Sequence, residues 1–366
     1  MNRTDVVAWV ISACAACLRL SQVKTLSVLV AAAMHVQRIS LANIGRAMLG
    51  GVKAQIKRCW RFCANERIET ADAMRGVIAR LLKKRRKGLL VAFDWTDIRG
   101  FHTLMAAAVI RGRSIPLCWA SCVGNTFDGH RSRNAFEESL LLVLRSMIPQ
   151  HVKVTIVADR GFGRTELARF CQRNGFHFIF RVQPDVHVSG SSYRGRLLDY
   201  PVHKGIARVL KNMSYRQKNP VSVNVAIRWR KDLPRDRDEC WFLITDLDIS
   251  AQHASQLYAR RMTIEELFRD GKNKRNGWSL RDTQITRPDR IDRLLLILAL
   301  AYLLLCGVGL LAKARYRPSA WCSSNDPMAC SVFFIGRVML ARMQLRPSQA
   351  FDAVRQAMLE AVPKWG

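Results

Sequence analysis

Three acids stand where a carboxylate could take part in a reaction. Asp94 ends the apolar run Leu89–Phe93, Asp159 ends Val152–Ala158, and Glu265 lies in the helix-forming stretch Leu257–Lys272. Carboxylates converging at one sheet edge would repel each other strongly unless cations lay between them. Oxygen ligands select hard ions such as Mg2+, which keeps several waters and takes substrate phosphates as further ligands. Two such ions can activate a water or hydroxyl and stabilise the leaving oxygen of a phosphodiester. Three acids of this kind fit in-line phosphoryl transfer.

The element that must carry Glu265 contains strong helix formers and no proline from Leu257 to Lys272, so it reads as one helix. At about 100° per residue, Tyr258, Arg261, Glu265, Arg269 and Lys272 share a sector of roughly 80°. Leu257, Ile264, Leu267 and Phe268 form an apolar stripe beside that sector, suited to packing on a sheet. A solvated helix laced with i,i+4 pairs has the same pattern; the two upstream aspartates weigh against it. Glu266 lies about 100° further round than Glu265. Asp97, three residues beyond Asp94, and Asp246, at the end of a strand-like run, read as structural or supporting acids.

The 366 residues carry 59 Lys+Arg against 28 Asp+Glu, a formal charge of +31. Such an excess calls for a polyanionic partner, nucleic acid first and an anionic membrane surface second. With 49% hydrophobic and 24% charged residues the chain is globular rather than disordered. Its 11 cysteines are odd in number, and Cys118, Cys171 and Cys306 lie in apolar runs, which suits buried thiols in a reducing compartment. Cys14 and Cys17 have metal-ligand spacing but no second pair beside them, so a structural zinc site is not expected. No clean signal peptide is visible, and the expected location is cytoplasmic.

Residues 1–88 read as helical, with a short helix at Ser40–Met48, a Gly50-Gly51 break and a basic helix at Val52–Phe62. Helix, glycine turn and basic helix is the outline of a helix-turn-helix, and the region is a candidate DNA-binding unit. The run Lys83–Lys87 reads as a solvated linker. Strand patterns then appear at Leu89–Phe93, Phe101–Ile110 and Ile115–Val123. Helix Phe136–Met147, strand Val152–Ala158, helix Thr165–Arg173 and strand Phe176–Val182 follow. This order makes a mixed α/β sheet.

Residues 183–250, with alternating stretches at Val221–Arg230 and Cys240–Thr245, read as an inserted β subdomain; residues 251–312 then return to the main sheet. Within them Leu294–Ala312 is apolar for nearly a full membrane span. Gly307 and Gly309 interrupt that run and the flanks are basic, so a buried core helix is expected instead. Residues 313–366 carry two amphipathic helices, Val332–Met343 and Ser348–Val362.

The motifs together resemble those of the IS4-type DDE transposases, the group related to the Tn5 and Tn10 enzymes. Their helix signature, Tyr-x2-Arg-x3-Glu-x6-Lys, is matched by Tyr258, Arg261, Glu265 and Lys272. Asp94-Trp95-Thr96 and Asp159-Arg160-Gly161-Phe162 are similar to the other two motif regions. The resemblance covers roughly residues 89–275. It implies an RNase H-like core in two parts, 89–182 and 251–312, with a β insertion between the second aspartate and the glutamate. It further implies Mg2+ held by Asp94, Asp159 and Glu265, and phosphates contacted by Tyr258, Arg261 and Lys272. Double-stranded DNA, at inverted-repeat ends and in the target, is the implied partner, cut and joined by a homodimer. The family also uses an aromatic of the insertion to handle a flipped base; Trp229 and Trp241 both qualify by location. The competing readings are a non-transposing nuclease on the same core, an inactive or inhibitory DNA-binding protein, and a basic membrane-associated protein.

Overall fold

The computed structural model describes residues 1–83, 88–124, 126–127, 132–231, 239–326 and 328–362. The first helices are α1 (Arg3–Cys14), α2 (Leu20–Ala33), α3 (Leu41–Arg46), α4 (Val52–Ala64) and α5 (Thr70–Leu81). Then come β1 (Leu89–Ile98), β2 (Phe101–Ile110), β3 (Arg113–Val123), α6 (Arg133–Met147), β4 (Val154–Ala158), α7 (Thr165–Arg173) and β5 (Phe176–Arg181). Five strands follow: β6 (His187–Ser189), β7 (Arg194–Arg196), β8 (Ala207–Tyr215), β9 (Val221–Trp229) and β10 (Cys240–Thr245). Helices α8 (Ala251–Ala259), α9 (Met262–Lys272), α10 (Pro288–Arg315), α11 (Val332–Met339) and α12 (Pro347–Glu360) complete the order. The class is mixed α/β, with the strand and helix order expected for residues 89–182. Of the basic run Lys83–Lys87, Lys84–Lys87 lie outside the described residues.

The chain divides into two compact units. The first comprises Met1–Arg85, Trp95–Pro149 and Thr263–Pro363; the second is built on Arg86–Asp94 and Gln150–Met262. The division passes through β1, whose Leu89–Asp94 belong to the second unit and Trp95–Ile98 to the first.

The second unit is a large mixed sheet. Leu89–Ala92 of β1 pair in parallel with Val154–Val157 of β4, and β4 pairs in parallel with β5. Leu89–Phe93 and all of β4 are buried. Parallel strands covered on both faces read as unbroken apolar runs rather than alternating ones. Joining β4 to β5 in parallel requires a crossover, and α7 supplies it, burying Leu167, Ala168 and Cys171. Strand β10 lies antiparallel to β5, and the order continues β9, β8, β6, β7. The strands of segment 183–250 therefore extend this sheet from β5.

In the first unit the strand order is β3, β2, β1, with β2 and β3 closed by a turn at Gly112, where φ is +75°. Helix α10 takes up the apolar run Leu294–Ala312, and 89% of its most apolar stretch is buried. Among the described residues it is one helix long and apolar enough to cross a membrane. Its burial by neighbouring protein gives that apolarity another cause.

Gly307 and Gly309, expected to interrupt the run, lie inside an unbroken helix. They mark crossings instead. A Cβ on Gly309 would overlap the carbonyl of Val332 in α11, and one on Gly307 the carbonyl of Ala350 in α12. Near its start α10 also anchors the amino-terminal helices. The buried Arg293 donates to the carbonyls of Cys63 (3.0 Å) and Ile68 (3.3 Å) and pairs with Asp289 (2.7 Å).

The expected helix, glycine turn and basic helix appear as α3 and α4. Gly50 in the connection has φ +105°, a conformation that disfavours a side chain. Gly45 lets α4 approach closely, since a Cβ there would lie 2.7 Å from the Ile56 backbone.

Candidate active site

Strand register decides where the two aspartates stand. The parallel pairing ends at Ala92 opposite Val157, two residues short of Asp94 and of Asp159. Both acids therefore stand level, two residues past the last paired positions in the second unit. Asp159 follows the end of β4, whereas Asp94 lies inside β1, which runs on to Ile98 instead of stopping at Phe93 as the apolar run suggested. Behind them the rings of Phe93 and Phe162 pack with centroids 5.2 Å apart. Asp159 caps the single turn Arg160–Phe162, its Oδ1 accepting the Gly161 N–H at 2.9 Å. That bond fixes one oxygen of the carboxylate and so its orientation.

Arg261 reaches Asp94 from the far end of the same unit's sequence: Nη1 lies 3.2 Å from Oδ2, with both side chains mostly buried. The Arg261 guanidinium also stands over the Tyr258 ring, 5.9 Å from its centroid. Tyr258 in turn meets Trp241 edge-on at 5.1 Å, and Arg181 lies over Trp241 at 6.0 Å. Burial raises the Tyr258 hydroxyl above its ordinary pKa, opposed by Arg261 and Arg181 and reinforced by Asp159. Glu239 pairs with both Arg160 and Arg181. Of the two tryptophans left open by the sequence, Trp241 packs on Tyr258, while Trp229 pairs with Cys240 across the β9–β10 ladder.

The single helix expected from Leu257 to Lys272 is two helices, and this corrects the sector argument. Helix α8 ends at Ala259 and α9 begins at Met262. Between them the Arg260 and Arg261 amides donate three residues back, to Leu257 (3.2 Å) and Tyr258 (2.8 Å). Such a tightened turn breaks the 100° step on which the wheel depended. The flanking residues have anchors that a continuous helix does not provide for. Arg261 holds Asp94, and the Thr263 hydroxyl meets that of Ser114 at 2.6 Å.

Helix α9 begins the later part of the first unit and carries Glu265, Glu266, Arg269, Asp270 and Lys272. Glu266 is engaged by Arg113 (3.4 Å) and Arg269 (2.7 Å), so Arg269 partners Glu266 rather than serving the sector first drawn. Lys272 lies over Phe268, 5.7 Å from the ring centroid, beside a small apolar cavity of about 50 Å3 lined also by Thr96, Leu267 and Trp278.

Asp270 was not singled out by sequence reasoning, yet it is held by three donor groups. It accepts Arg113 Nε at 2.7 Å, Arg113 Nη2 at 3.4 Å and the Tyr302 hydroxyl at 2.8 Å. Its one sequence signal was a fifth charge in an already charged helix.

The other acids weighed as structural have structural partners. Asp246 accepts from the Phe178 N–H (3.0 Å) and meets His177 Nδ1 (2.7 Å). Asp97 accepts the Gly100 N–H in the β1–β2 turn (3.3 Å). The second unit thus brings Asp94, Asp159, Arg261 and Tyr258 into one neighbourhood, while Glu265 and Lys272 belong to the first. Among the described residues no three or more His, Cys, Asp or Glu side chains are gathered into one cluster; the level pair of aspartates is the nearest arrangement in the second unit.

The family described as "Transposase DDE domain" matches residues 85–304 of the chain. No curated protein matches it.

Proposed function

The chain belongs to the transposase DDE-domain family, and we propose that it cuts DNA at the ends of an insertion sequence and joins them to target DNA by in-line phosphoryl transfer. The observation that carries this reading is the level pair Asp94 and Asp159 just past the parallel pairing of β1 with β4, with Arg261 on Asp94. Two carboxylates so disposed are hard oxygen donors of the kind Mg2+ takes, so the residues fit that ion. The matched signature Tyr258, Arg261, Glu265 and Lys272 supports the IS4 type within that family. On this reading the sheet is an RNase H-like core with residues 183–250 inserted, and residues 1–88 bind DNA. A homodimer holds the paired ends.

Asp94 and Asp159, with Glu265 as the resemblance implies, would hold the metal, and a bound Mg2+ would supply the acidification of an attacking water or hydroxyl and the stabilisation of the leaving oxygen. The remaining work falls to side chains that manage phosphate charge. The two carboxylates repel an incoming phosphate, and Arg261 offsets that repulsion by lying on Asp94. Its five N–H donors let it keep Asp94 and still take a phosphate oxygen. Burial keeps the Tyr258 hydroxyl protonated, so it acts as a neutral donor. Lys272 adds a point charge; contacts of these kinds position the DNA without reading its sequence.

Glu265 and Glu266 provide the test. With Mg2+ and duplexes bearing the sequences that flank the coding region, Glu265→Gln should lose cleavage by about 1,000-fold or more, a barrier increase of about 4 kcal/mol. Its binding to the same duplexes should persist. Glu266→Gln should still cut. Wild-type cleavage by Glu265→Gln, together with its loss in Glu266→Gln, would sink the assignment.

A further inference from the structure

The first unit carries a basic groove. An open groove of about 690 Å3 is lined by His35, Gln37, Arg38, Lys274, Arg275 and Arg337 among apolar residues, and no acid lines it. A neighbouring depression of about 490 Å3 shares Val36, Gln37 and Arg38 and adds Asn43 and Arg46 of α3. Cations from four parts of the sequence thus run from α3 to the segment that begins two residues after Lys272.

This arrangement is built rather than incidental. Arg337 donates to the carbonyls of Asn276 (3.1 Å), Gly277 (2.9 Å) and Gln37 (3.3 Å). The Ile39 N–H also donates to the Trp278 carbonyl at 2.7 Å. These bonds hold the loop bearing Arg38 against the loop bearing Lys274 and Arg275. Lys274 meets Asp282 at 3.6 Å, an exposed pair, and among the described residues Arg38 and Arg275 have no acidic partner. Burial, with Arg3 and the terminal ammonium nearby, holds the His35 imidazole below its usual pKa. Like charges fixed side by side repel, and a polyanion laid along them relieves the repulsion.

We propose that this groove is a track for the phosphate backbone of duplex DNA, continuing the path past Lys272, with Arg38, Lys274 and Arg275 as its contacts. The proposal rests on the transposase reading for its choice of partner, since the groove itself selects only a line of phosphates. Such contacts carry affinity and not sequence.

The test uses the full chain, a fluorescent random-sequence 40-base-pair duplex and anisotropy titrations across salt concentrations. The triple variant Arg38→Gln, Lys274→Gln, Arg275→Gln should bind about ten-fold or more weakly near 0.15 M salt. The slope of log K against log salt should become shallower by about 2 to 3, one counterion for each lost contact. A control triple elsewhere on the same unit, Lys24→Gln, Lys83→Gln, Arg315→Gln, should change affinity far less. Wild-type affinity and slope in the first triple, or an equal loss in the control, overturns the groove. Mg2+-dependent cutting by the wild type is scored separately. Cutting with an unaffected first triple defeats the groove and leaves the transposase reading intact. Absence of cutting with a selective loss of binding defeats the transposase reading and leaves the groove.

Discussion

Two acid–arginine pairs occupy the two units, and they differ in what surrounds them. In the second unit Arg261 meets Asp94 of β1 at 3.2 Å, where Asp94 keeps 18% of its side-chain surface exposed. In the first, Arg113 grips Asp270 from two nitrogens, and the Tyr302 hydroxyl adds a further donor. Ser331, at the start of α11, reaches the same carboxylate at 3.5 Å. Asp270 thus ties β3, α9, α10 and α11 together. Burial pushes its pKa up, and Arg113 opposes the shift. A buried ion pair with its remaining valences filled is costly to break and hard for substrate to enter. Both arginines are mostly buried, and the carboxylates carry the difference, since Asp270 keeps only 10% of its side-chain surface exposed; on the proposed function Asp94 is site and Asp270 scaffold.

Asparagine at each position breaks that comparison most sharply. Asp94→Asn should lose about 1,000-fold or more in cleavage while costing about 1 kcal/mol of stability, because the amide oxygen still accepts from Arg261. Asp270→Asn should cost about 3 kcal/mol by leaving Arg113 partly unpaired in a buried site, while its folded fraction still cuts. Urea unfolding and cleavage per folded molecule measure the two effects. An equal loss of stability at both positions would show that the division between site and scaffold is wrong.

The scaffold half can be sharpened without touching an acid. Gly309 lies where the Val332 backbone of α11 crosses α10, next to Ser331 and hence to Asp270. Gly309→Ala must push α11 away, since the obstacle is backbone and not the end of a flexible side chain. Overpacking of this kind costs about 1–3 kcal/mol. Gly271→Ala, whose added methyl would only touch Leu280 at 3.9 Å, is the control and should be nearly neutral. Matching midpoints for the two variants in thermal unfolding would remove α11 from the account of the network.

Much of this was legible in the sequence, for physical reasons that also explain what was not. Leu89–Phe93 and Val152–Ala158 read as buried strands because covered parallel strands are apolar throughout, and an acid ending such a run stands out. Helix α7 and strand β10 carried their limits in their own patterns, as Asn174-Gly175 does at the end of α7. The break between α8 and α9 was illegible, because Arg260, Arg261 and Met262 have good helix propensity and no glycine or proline marks the spot. The interruption comes with contacts remote in sequence, Arg261 to Asp94 and Thr263 to Ser114. Asp270 was hidden for a related reason. In sequence it is one more charge on a charged helix, and only Arg113, Tyr302 and Ser331 reveal its role. Trp241 and Trp229 sit on neighbouring strands, and location in the sequence could not show that Trp241 packs on Tyr258.

A third acid refines the comparison with the smallest expected effect. Asp292 on α10 also faces β3, accepting the Ser121 N–H at 3.2 Å, but its Oδ1 is buried with no hydrogen-bond partner among the described residues. Burial raises its pKa from 3.8 to about 6; the Ser121 bonds and Arg293 only partly offset the shift. The folded state therefore binds this proton more tightly than the unfolded chain. The resulting stability is full below about pH 4 and is lost as pH rises through about 6. Asp292→Asn keeps an oxygen for the Ser121 N–H and has no proton to lose. Its stability relative to wild type should improve by about 1–3 kcal/mol between pH 4 and pH 7, as read from urea midpoints across that range. A difference that stays constant with pH would mean that Asp292 ionises as readily in the folded state as in the unfolded one, and that a buried acid on this scaffold does not need the arginine that Asp270 has.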